Sequence, residues 1–229
     1  MTSKSNYEEY TDLALEQFAE RNAVNRKSLF DAVKEIKLER VLEVGCGAGQ
    51  EFFPFLENSN AVCVGVDIAP ELGKITGKVF ENKFSGRVNF VRSSGEKLPF
   101  EDASFDVVLC LVALPYMNNR QTISEISRVL KTGGFFLLKI HSLVFYLNMI
   151  NQRAKTLNPK QIAYPLICLT AGLWHTLSGN QLQKGFWKGK EIFQTRRFLR
   201  KEFIKNGLSV VQELPDSNNQ TPSFMIVKK

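Results

Sequence analysis

Short apolar runs alternate with helix-length segments between residues 41 and 140, and this alternation limits the possible folds more than any other feature. The runs predict five strands, at residues 41–44, 61–66, 88–91, 105–111 and 135–140. Helices are predicted at 70–80 and at 120–130, with a turn at 131–134 before the fifth strand. Strands that alternate with helices form a parallel sheet that is covered by helices on both faces. We therefore expect an α/β fold built on a doubly wound sheet.

The regular alternation stops after the fifth strand. About fifty residues, 141–190, carry two apolar stretches and then a segment rich in glycine, lysine and aromatic residues. Connections of this length tend to be lids or binding elements, so we predict that 141–190 is an inserted substrate cap. Regular structure is expected to return with a helix at 195–206, ended by Gly207, and with strands at 208–212 and 223–227.

The length of 229 residues fits one domain, and the composition is that of a globular chain, with 44% hydrophobic and 23% charged residues. We predict a single domain over 1–229, whose first part, 1–38, forms N-terminal helices at 7–19 and 27–38. The acidic, polar start does not resemble a signal peptide. The longest apolar stretch, 162–177, is too short and too interrupted to predict a transmembrane helix.

Charge is divided unevenly along the chain. Residues 1–130 hold 15 basic and 19 acidic residues, whereas residues 131–229 hold 15 basic and 4 acidic ones, for a net charge of +7 over the whole chain. The basic second part indicates an anionic partner, which could be a phosphorylated substrate, a lipid surface or nucleic acid. A solvated basic surface that aids solubility is the alternative interpretation.

The cysteines argue against a metal or disulfide framework. Four are present, at positions 46, 63, 110 and 168, and they stand far apart without a C-x-x-C pair. No metal site is predicted, and the expected compartment is a reducing, cytoplasmic one.

A glycine loop, GCGAG at residues 45–49, directly follows the first predicted strand. Glycines in such a loop let the backbone approach a ligand closely, and the start of the next helix offers N–H groups to it. The spacing differs from the G-x-G-x-x-G pattern of dinucleotide-binding proteins. The carboxylate of Glu43, just ahead of the loop, disfavours a phosphate and favours a cation. The loop spacing and Glu43 therefore argue against a nicotinamide-dependent dehydrogenase.

Four motifs occur in a fixed order: VLEVGCGAG, the strand AVCVGVD that ends at Asp67, SSGEKLPFEDASFDVVLC, and ISRVLKTGGFFLL. With these motifs the chain resembles the class I S-adenosylmethionine-dependent methyltransferases, especially the small-molecule group that includes the ubiquinone/menaquinone C-methyltransferases. The resemblance covers about residues 38–138 and 195–229. It implies a Rossmann-like sheet of seven strands, mostly parallel with an antiparallel last strand. It also implies S-adenosyl-L-methionine as the cofactor and S-adenosyl-L-homocysteine as its product.

The resemblance implies which positions contact this cofactor. The residues that would wrap its amino-acid end are Gly45, Cys46, Gly47 and Gly49. Glu43 would hold the loop or reach the ammonium group. Asp67 would accept hydrogen bonds from both ribose hydroxyls, and Ile68 would pack on the adenine ring. Cys46 is interpreted as a small filler of the loop and not as a nucleophile, because nothing in the sequence marks a base beside it.

The third motif departs from the family pattern at one position. Relatives usually have an aspartate that accepts a hydrogen bond from the adenine amino group, and Ser94 stands in its place here. A hydroxyl or the Gly95 backbone would make a weaker, uncharged hydrogen bond. Glu96 is interpreted either as a further cofactor contact or as a charge at a helix start. Cys110 and Leu111, at the end of the fourth strand, complete the implied cofactor contacts.

Methyl transfer from a sulfonium is an in-line displacement, so holding the two reacting atoms in line within a dry pocket can supply most of the catalysis. A base is needed where the acceptor loses a proton. Tyr116 stands in the loop after the fourth strand, where many relatives have a histidine. His141 directly follows the fifth strand and is a candidate base or acceptor-orienting residue, with a purely cap-anchoring role as the alternative. His175 lies in an apolar stretch and is interpreted as structural.

The cap should select the acceptor. Its aromatic and aliphatic residues, Tyr146 and Tyr164 among them, would wall an apolar pocket, and nearby lysines and arginines would meet a phosphate or carboxylate. We therefore expect a small-molecule methyl acceptor with an apolar body and an anionic part. One form of this hypothesis is a membrane-associated acceptor, which the protein would reach by peripheral contact with the membrane. In the alternative interpretation these side chains are the core of the cap itself.

Two further functions stay open at this stage, together with the oligomeric state. The basic second part of the chain is compatible with an RNA methyltransferase. However, the Asn-Pro-Pro-aromatic motif of enzymes that methylate amino groups of nucleic acids is absent, so nucleic acid is not the expected acceptor. Ser94 and Tyr116 are compatible with a catalytically inactive scaffold that binds S-adenosylmethionine.

Overall fold

A computed structural model describes residues 28–69, 77–155, 158–182, 184–187, 189–214 and 219–229, with only the backbone described at 77–79 and 160. The predicted helix at 7–19 lies outside the described residues, and so do residues 70–76 of the predicted helix at 70–80.

The described residues form one sheet of seven strands. The strands are β1 (Arg40–Val44), β2 (Val62–Asp67), β3 (Val88–Arg92), β4 (Phe105–Leu111), β5 (Leu130–Lys139), β6 (Leu208–Leu214) and β7 (Ser223–Lys228). Their order across the sheet is β3-β2-β1-β4-β5-β7-β6. Strands β1 to β5 are parallel, and β7 runs antiparallel to both β5 and β6. The predicted doubly wound, mostly parallel sheet with an antiparallel last strand is confirmed.

Helices connect the strands and extend beyond them. Within the described residues, the helices after β1 are α1 (Phe53–Asn58), α2 (Gly77–Phe84), α3 (Asn119–Val129), α4 (Leu143–Ala154), α5 (Pro159–Ser178) and α6 (Arg196–Lys205). Three of them begin at a side chain that accepts a hydrogen bond from the backbone three residues further on: Asn118, Ser142 and Thr195. Such caps satisfy N–H groups that a helix start leaves without intrahelical partners, and they explain where these helices begin.

The core lies on both faces of the sheet. Successive side chains of a strand point to opposite faces. On β1, Leu42 and Val44 accordingly belong to a buried cluster that includes Ile123 of α3, whereas Val41 belongs to a second cluster that includes Phe55 of α1. Because both faces of the sheet are covered, successive strand residues are buried, and this burial explains the continuous apolar runs in the sequence.

The helix predicted at 27–38 is shorter than expected. Within the described residues it spans 28–31, and the chain then continues in turns. The predicted apolar face is nevertheless right, because Leu29, Phe30 and Val33 are buried. Beyond residue 31, the N–H of Val33 bonds to the carbonyl of Phe30 at 2.9 Å, the three-residue spacing of a tight turn in place of the α-helical spacing of four.

The start of the fifth strand also differs from the prediction. A turn was expected at 131–134, but β5 already begins at Leu130. Leu130 pairs with Phe105, and the next pairs join Val107 to Phe135, so the intervening residues of β5 bulge out of register. The expected turn is therefore an irregularity within the strand, with Gly133 at a φ of +78°.

Two helices, α4 and α5, occupy most of the region predicted as the cap. They follow the carboxyl end of β5, next to the end of β4. Within the described residues, no helix is both long and apolar enough to cross a membrane.

Candidate functional site

The glycine loop turns sharply at the carboxyl end of β1. Gly45, Gly47 and Gly49 have φ values of +75°, +51° and +73°, in the left-handed region that glycine adopts without steric cost. The N–H groups of Gly45 and Cys46 both donate to the carbonyl of Val66, at 2.7 and 3.1 Å. A Cβ atom on Gly45 would lie 2.3 Å from Cβ of Ala113. The loop is therefore held against the ends of β2 and β4.

Asp67 at the end of β2 lies directly beside this loop. Its Oδ2 accepts a hydrogen bond from the N–H of Gly47 at 2.9 Å, and its Oδ1 accepts one from the N–H of Ala69 at 3.1 Å. The next residue, Ile68, is 69% exposed. The structure thus brings together the glycine loop, the carboxylate and an exposed aliphatic side chain, while their contacts with a cofactor stay predictions.

The side chains of Glu43 and Cys46, both predicted to contact the cofactor, lie inside the protein. Glu43 is only 3% exposed, in the middle of the sheet. Cys46 is buried too, and burial, helped by the charges of Glu43 and Asp67, raises the pKa of its thiol well above the ordinary value. The thiol therefore stays protonated, which agrees with its interpretation as a filler of the loop.

The end of β4 contributes little side-chain surface to this site. Cys110 is fully buried in the core, and burial raises the pKa of its thiol to about 12. The whole residue is 0% exposed, backbone included, so its contact with a cofactor stays a prediction. The adjacent Leu111 is partly exposed and packs against the second core cluster.

The segment after β3 is tied internally. The hydroxyl of Ser94 donates to Oε2 of Glu96 at 2.6 Å, and Oε1 of Glu96 accepts a hydrogen bond from the N–H of Asn118 at 2.7 Å. A Cβ atom on Gly95 would lie 2.7 Å from the sulfur of Met117. Glu96 therefore joins this segment to the start of α3, and the cofactor roles of Ser94, Gly95 and Glu96 stay predictions.

A second group of polar side chains meets at the ends of β4 and β5, around the carboxylate of Glu191. Nδ1 of His141 lies 2.6 Å from its Oε1, and the hydroxyl of Tyr146 donates to the same oxygen. The hydroxyls of Tyr116 and Tyr164 donate to Oε2, at 3.0 and 3.3 Å. Glu191 is 2% exposed, so this carboxylate is buried and satisfied by four donors from four different parts of the fold.

Electrostatics keep this carboxylate ionised. Burial by itself would raise the pKa of Glu191, but the hydrogen bonds from His141 and Tyr146 lead the opposing contributions, and the net pKa lies below the ordinary value. Burial, followed by the charge of Glu191, raises the pKa of Tyr116 and of Tyr146. The tyrosines therefore act as hydrogen-bond donors and keep their protons at neutral pH.

Sequence reasoning placed His141 and Tyr116 near each other but missed Glu191, the residue that joins them. Glu191 lies just beyond the predicted cap, 50 positions after His141. One signal could have found it: residues 131–190 contain no Asp or Glu, and Glu191 is the first acidic residue after them. Tyr146 and Tyr164 were expected as pocket walls, and their hydroxyls point instead to this carboxylate.

Two other polar residues near the sheet have structural roles. Asp106 accepts hydrogen bonds from the N–H groups of Glu39 and Arg40, both at 2.8 Å, and from the ammonium of Lys131 at 2.7 Å. His175 is buried against Phe198, as its apolar sequence neighbourhood predicted. Among the described residues, no group of three or more His, Cys, Asp or Glu side chains is arranged to hold a metal ion.

The core of the chain matches a known family of domains. Residues 42–138 match the family model described as a methyltransferase domain. The chain is 36% identical over 106 residues to the uncharacterized methyltransferase YcgJ of Bacillus subtilis, across 44% of this chain and 40% of the relative. It is 37% identical over 99 residues to the sterol 4-C-methyltransferase strm-1 of Caenorhabditis elegans, across 42% of this chain and 29% of that protein. The chain thus matches less than half the length of either curated relative.

A solved structure supports the same fold over a longer stretch. The geranyl diphosphate C-methyltransferase of Streptomyces coelicolor, solved with Mg²⁺, geranyl diphosphate and S-adenosyl-L-homocysteine, superimposes with a TM-score of 0.66 at 13% identity. The alignment covers 100% of this chain and 86% of that one. A likeness at this identity concerns the fold alone. The narrower likeness to ubiquinone and menaquinone enzymes stays a prediction.

Proposed function

Residues 42–138 belong to the class I S-adenosylmethionine-dependent methyltransferases, and from this premise we propose that the chain transfers a methyl group from S-adenosylmethionine to a small-molecule acceptor. The observation that carries the proposal is the contact between the glycine loop and Asp67, whose Oδ2 accepts the Gly47 N–H at 2.9 Å. This contact lies beyond the carboxyl ends of β1 and β2, at the edge where open α/β sheets bind their ligands.

The residues at this edge fit the cofactor. Asp67 makes one backbone hydrogen bond through each oxygen and retains lone pairs for the two ribose hydroxyls. Ile68 offers an exposed apolar side chain to the adenine ring. The left-handed glycines let the loop backbone approach the amino-acid end, and the nearby negative charge of Glu43 favours a cationic ligand.

His141 and Tyr116 stand at the ends of two adjacent strands and face the acceptor in this proposal. Bound S-adenosylmethionine supplies a methyl group on a positively charged sulfur, which the nucleophilic atom of the acceptor attacks in line. His141 accepts the proton that a hydroxyl, thiol or acidic carbon acceptor releases. Tyr116, whose hydroxyl is already hydrogen-bonded to Glu191, contributes its half-exposed ring to the pocket wall.

We propose an acceptor with an apolar body and an anionic part. Residues 141–190 contain six Lys and Arg residues and no Asp or Glu. Leu166, Leu173 and Leu177 are exposed along one face of α5, opposite the buried Cys168. An exposed apolar helix face, within a segment that has basic but no acidic residues, has the composition of a surface that rests on an anionic membrane. Peripheral membrane contact would bring such an acceptor to the cap.

The names of two matched proteins are consistent with this class of acceptor. The nematode relative is named for a sterol, and the Streptomyces structure contains geranyl diphosphate, which has an apolar chain and an anionic end. The sterol and geranyl diphosphate are named for those proteins and not for this chain. They support the proposal of a lipid-like acceptor, whose identity an experiment must determine.

Calorimetry of the full chain with S-adenosylmethionine and S-adenosyl-L-homocysteine tests the proposal. Both compounds should bind, and Asp67→Asn should weaken binding by about tenfold or more, because a charged acceptor becomes a neutral amide. Asp102→Asn is the matched control, since Asp102 is exposed and bonded to Arg128 outside the site. No binding of either compound to the wild type would contradict the proposal. Binding without methyl transfer to a panel of amphiphilic acceptors would support the inactive scaffold instead.

A further inference from the structure

Glu191 is contacted by side chains from four separate parts of the fold. His141 follows β5, Tyr116 follows β4, Tyr146 belongs to α4 and Tyr164 to α5. The carboxylate therefore connects the two strand ends at the proposed acceptor site to both helices of the cap.

The chemistry of this contact determines the form of the histidine. An ionised carboxylate can only accept hydrogen bonds, so Nδ1 of His141 must carry the hydrogen that it directs to Oε1 of Glu191 at 2.6 Å. In a neutral imidazole the other nitrogen, Nε2, is then an unprotonated acceptor. Within the described residues, no hydrogen-bond partner engages Nε2.

The ring is also fixed in orientation. His141 stacks on Phe145 with the ring centroids 3.8 Å apart and the planes within 6° of each other. The neighbouring Tyr146 ring stands edge-on to it at 6.2 Å. With one nitrogen bonded and one face covered, the imidazole has little freedom to rotate.

We propose that Glu191 is the positioning residue of the active site: it holds His141 in the Nδ1–H tautomer, so that Nε2 is the atom that takes the proton of the methyl acceptor. This inference rests on the function proposed above and assigns the proton transfer to one nitrogen of His141. His141 presents a free acceptor nitrogen, whereas the Tyr116 hydroxyl already donates to Glu191.

The charge of Glu191 has a second role, which is to stabilise the protonated imidazole of His141. When Nε2 takes a proton from the acceptor, the imidazole becomes a cation next to a buried carboxylate. An opposite charge within hydrogen-bond distance stabilises that cation. The proton released by the acceptor thus has a defined destination, while the S–CH₃ bond breaks and the bond from the acceptor atom to the methyl carbon forms.

Nitrogen NMR of the full chain without S-adenosylmethionine tests the inference directly. Protein labelled with ¹⁵N-histidine contains two histidines, and His175→Met assigns their signals. In the wild type at alkaline pH, Nδ1 of His141 should show a protonated and Nε2 an unprotonated chemical shift. In Glu191→Gln, the Nε2–H tautomer should rise to about half or more of the population, because a neutral amide is a weaker acceptor than a carboxylate.

The matched control is Glu202→Gln. Glu202 is another buried glutamate, paired with Arg120 and Lys205 away from His141, so its replacement should leave the His141 tautomer unchanged. A wild-type His141 that carries its hydrogen on Nε2 would overturn the inference without the need for any variant. An unchanged tautomer in Glu191→Gln would overturn it as well.

Calorimetry on the same samples separates the inference from the proposed function. Glu191→Gln should bind S-adenosyl-L-homocysteine within about threefold of the wild type, because the hydrogen bonds of Glu191 to other described side chains all reach the acceptor side. A wild type that binds no S-adenosyl-L-homocysteine but has the Nδ1–H tautomer would contradict the methyltransferase proposal and leave the Glu191–His141 geometry intact. A loss of binding confined to Glu191→Gln would contradict the assignment of Glu191 to the acceptor side.

Discussion

The Glu96 carboxylate lies 2.7 Å from the backbone nitrogen of Asn118, the residue that caps α3. Its other oxygen accepts the hydroxyl hydrogen of Ser94 at 2.6 Å. A single side chain thus joins the segment after β3 to the first turn of a helix 22 positions away. Both segments lie at the carboxyl edge of the sheet, where the proposed cofactor binds.

Removing this link should lower stability. Glu96→Ala should reduce the free energy of unfolding by about 2 kcal/mol, because the partly buried Asn118 N–H loses a charged acceptor. Glu96→Gln should cost less, since its amide oxygen can still accept. Urea unfolding of the full chain, followed by circular dichroism, measures both. Glu57→Ala removes an exposed ion pair with Lys83 and should change stability by less than about 0.5 kcal/mol. Equal costs for Glu96→Ala and Glu57→Ala would contradict the structural role.

The glycine loop should be far less tolerant of alanine than a surface turn with the same backbone angle. Gly45 and Gly86 have φ values of +75° and +72°, but a Cβ on Gly45 would overlap Ala113 at 2.3 Å, whereas nothing lies within 4 Å of one on Gly86. Gly86→Ala should cost about 1 kcal/mol, the backbone penalty alone. Gly45→Ala should cost at least about 2 kcal/mol more through overpacking, and it should weaken S-adenosylmethionine binding. Thermal unfolding measures the stability of both variants, and calorimetry measures their binding of S-adenosylmethionine. Equal losses of stability in the two variants would contradict the prediction.

The buried His175 should make stability fall in mildly acidic solution. Burial, and next the charge of Arg120, lower its pKa from 6.5 to about 4. The folded state therefore holds the neutral ring, while the unfolded chain takes up a proton near pH 6.5, so stability is complete above that pH and is lost as the pH falls towards 4. We expect a loss of about 2 kcal/mol between about pH 7 and pH 5.

The variant His175→Met should remove most of this dependence. The carboxylates with lowered pKa values, such as Asp106 and Glu125, lose their contribution to stability only below their ordinary values of 3.8 and 4.5, outside this window. Urea unfolding at the two pH values gives the slope for each protein. The same slope in wild type and variant would assign the effect to another group.

The exposed leucines of α5 should carry membrane contact. The full chain should float with vesicles that contain phosphatidylglycerol at low salt and should bind less at high salt, because the attraction to anionic lipid is screened. Replacing Leu166, Leu173 and Leu177 together by serine should lower the bound fraction about fivefold or more, through loss of buried apolar area. Ile204→Ser, which changes an apolar side chain that is 70% exposed on α6, is the control. Equal flotation of the triple variant, or none of the wild type, would refute this contact.

The sheet was predictable because each strand is marked in the sequence by its own run of apolar residues. Residues 105–111 form β4 as expected, and the helix predicted at 195–206 is observed at Arg196–Lys205. At the start of β5, where the prediction failed, a tertiary contact was responsible. The pairing of Leu130 with Phe105 draws the expected turn at 131–134 into β5, and no local pattern contains that pairing.

The succession of strands, the glycine loop and Asp67 follow from local patterns of apolarity and backbone freedom, and these patterns by themselves determined the class of fold and the proposed cofactor edge. The site around Glu191 was decided only by tertiary structure. His141 and Glu191 are 50 positions apart, and a carboxylate reveals nothing about its partners until folding removes water from around it. Once buried, it must be satisfied by whichever donors the fold brings within reach, here one histidine and three tyrosines.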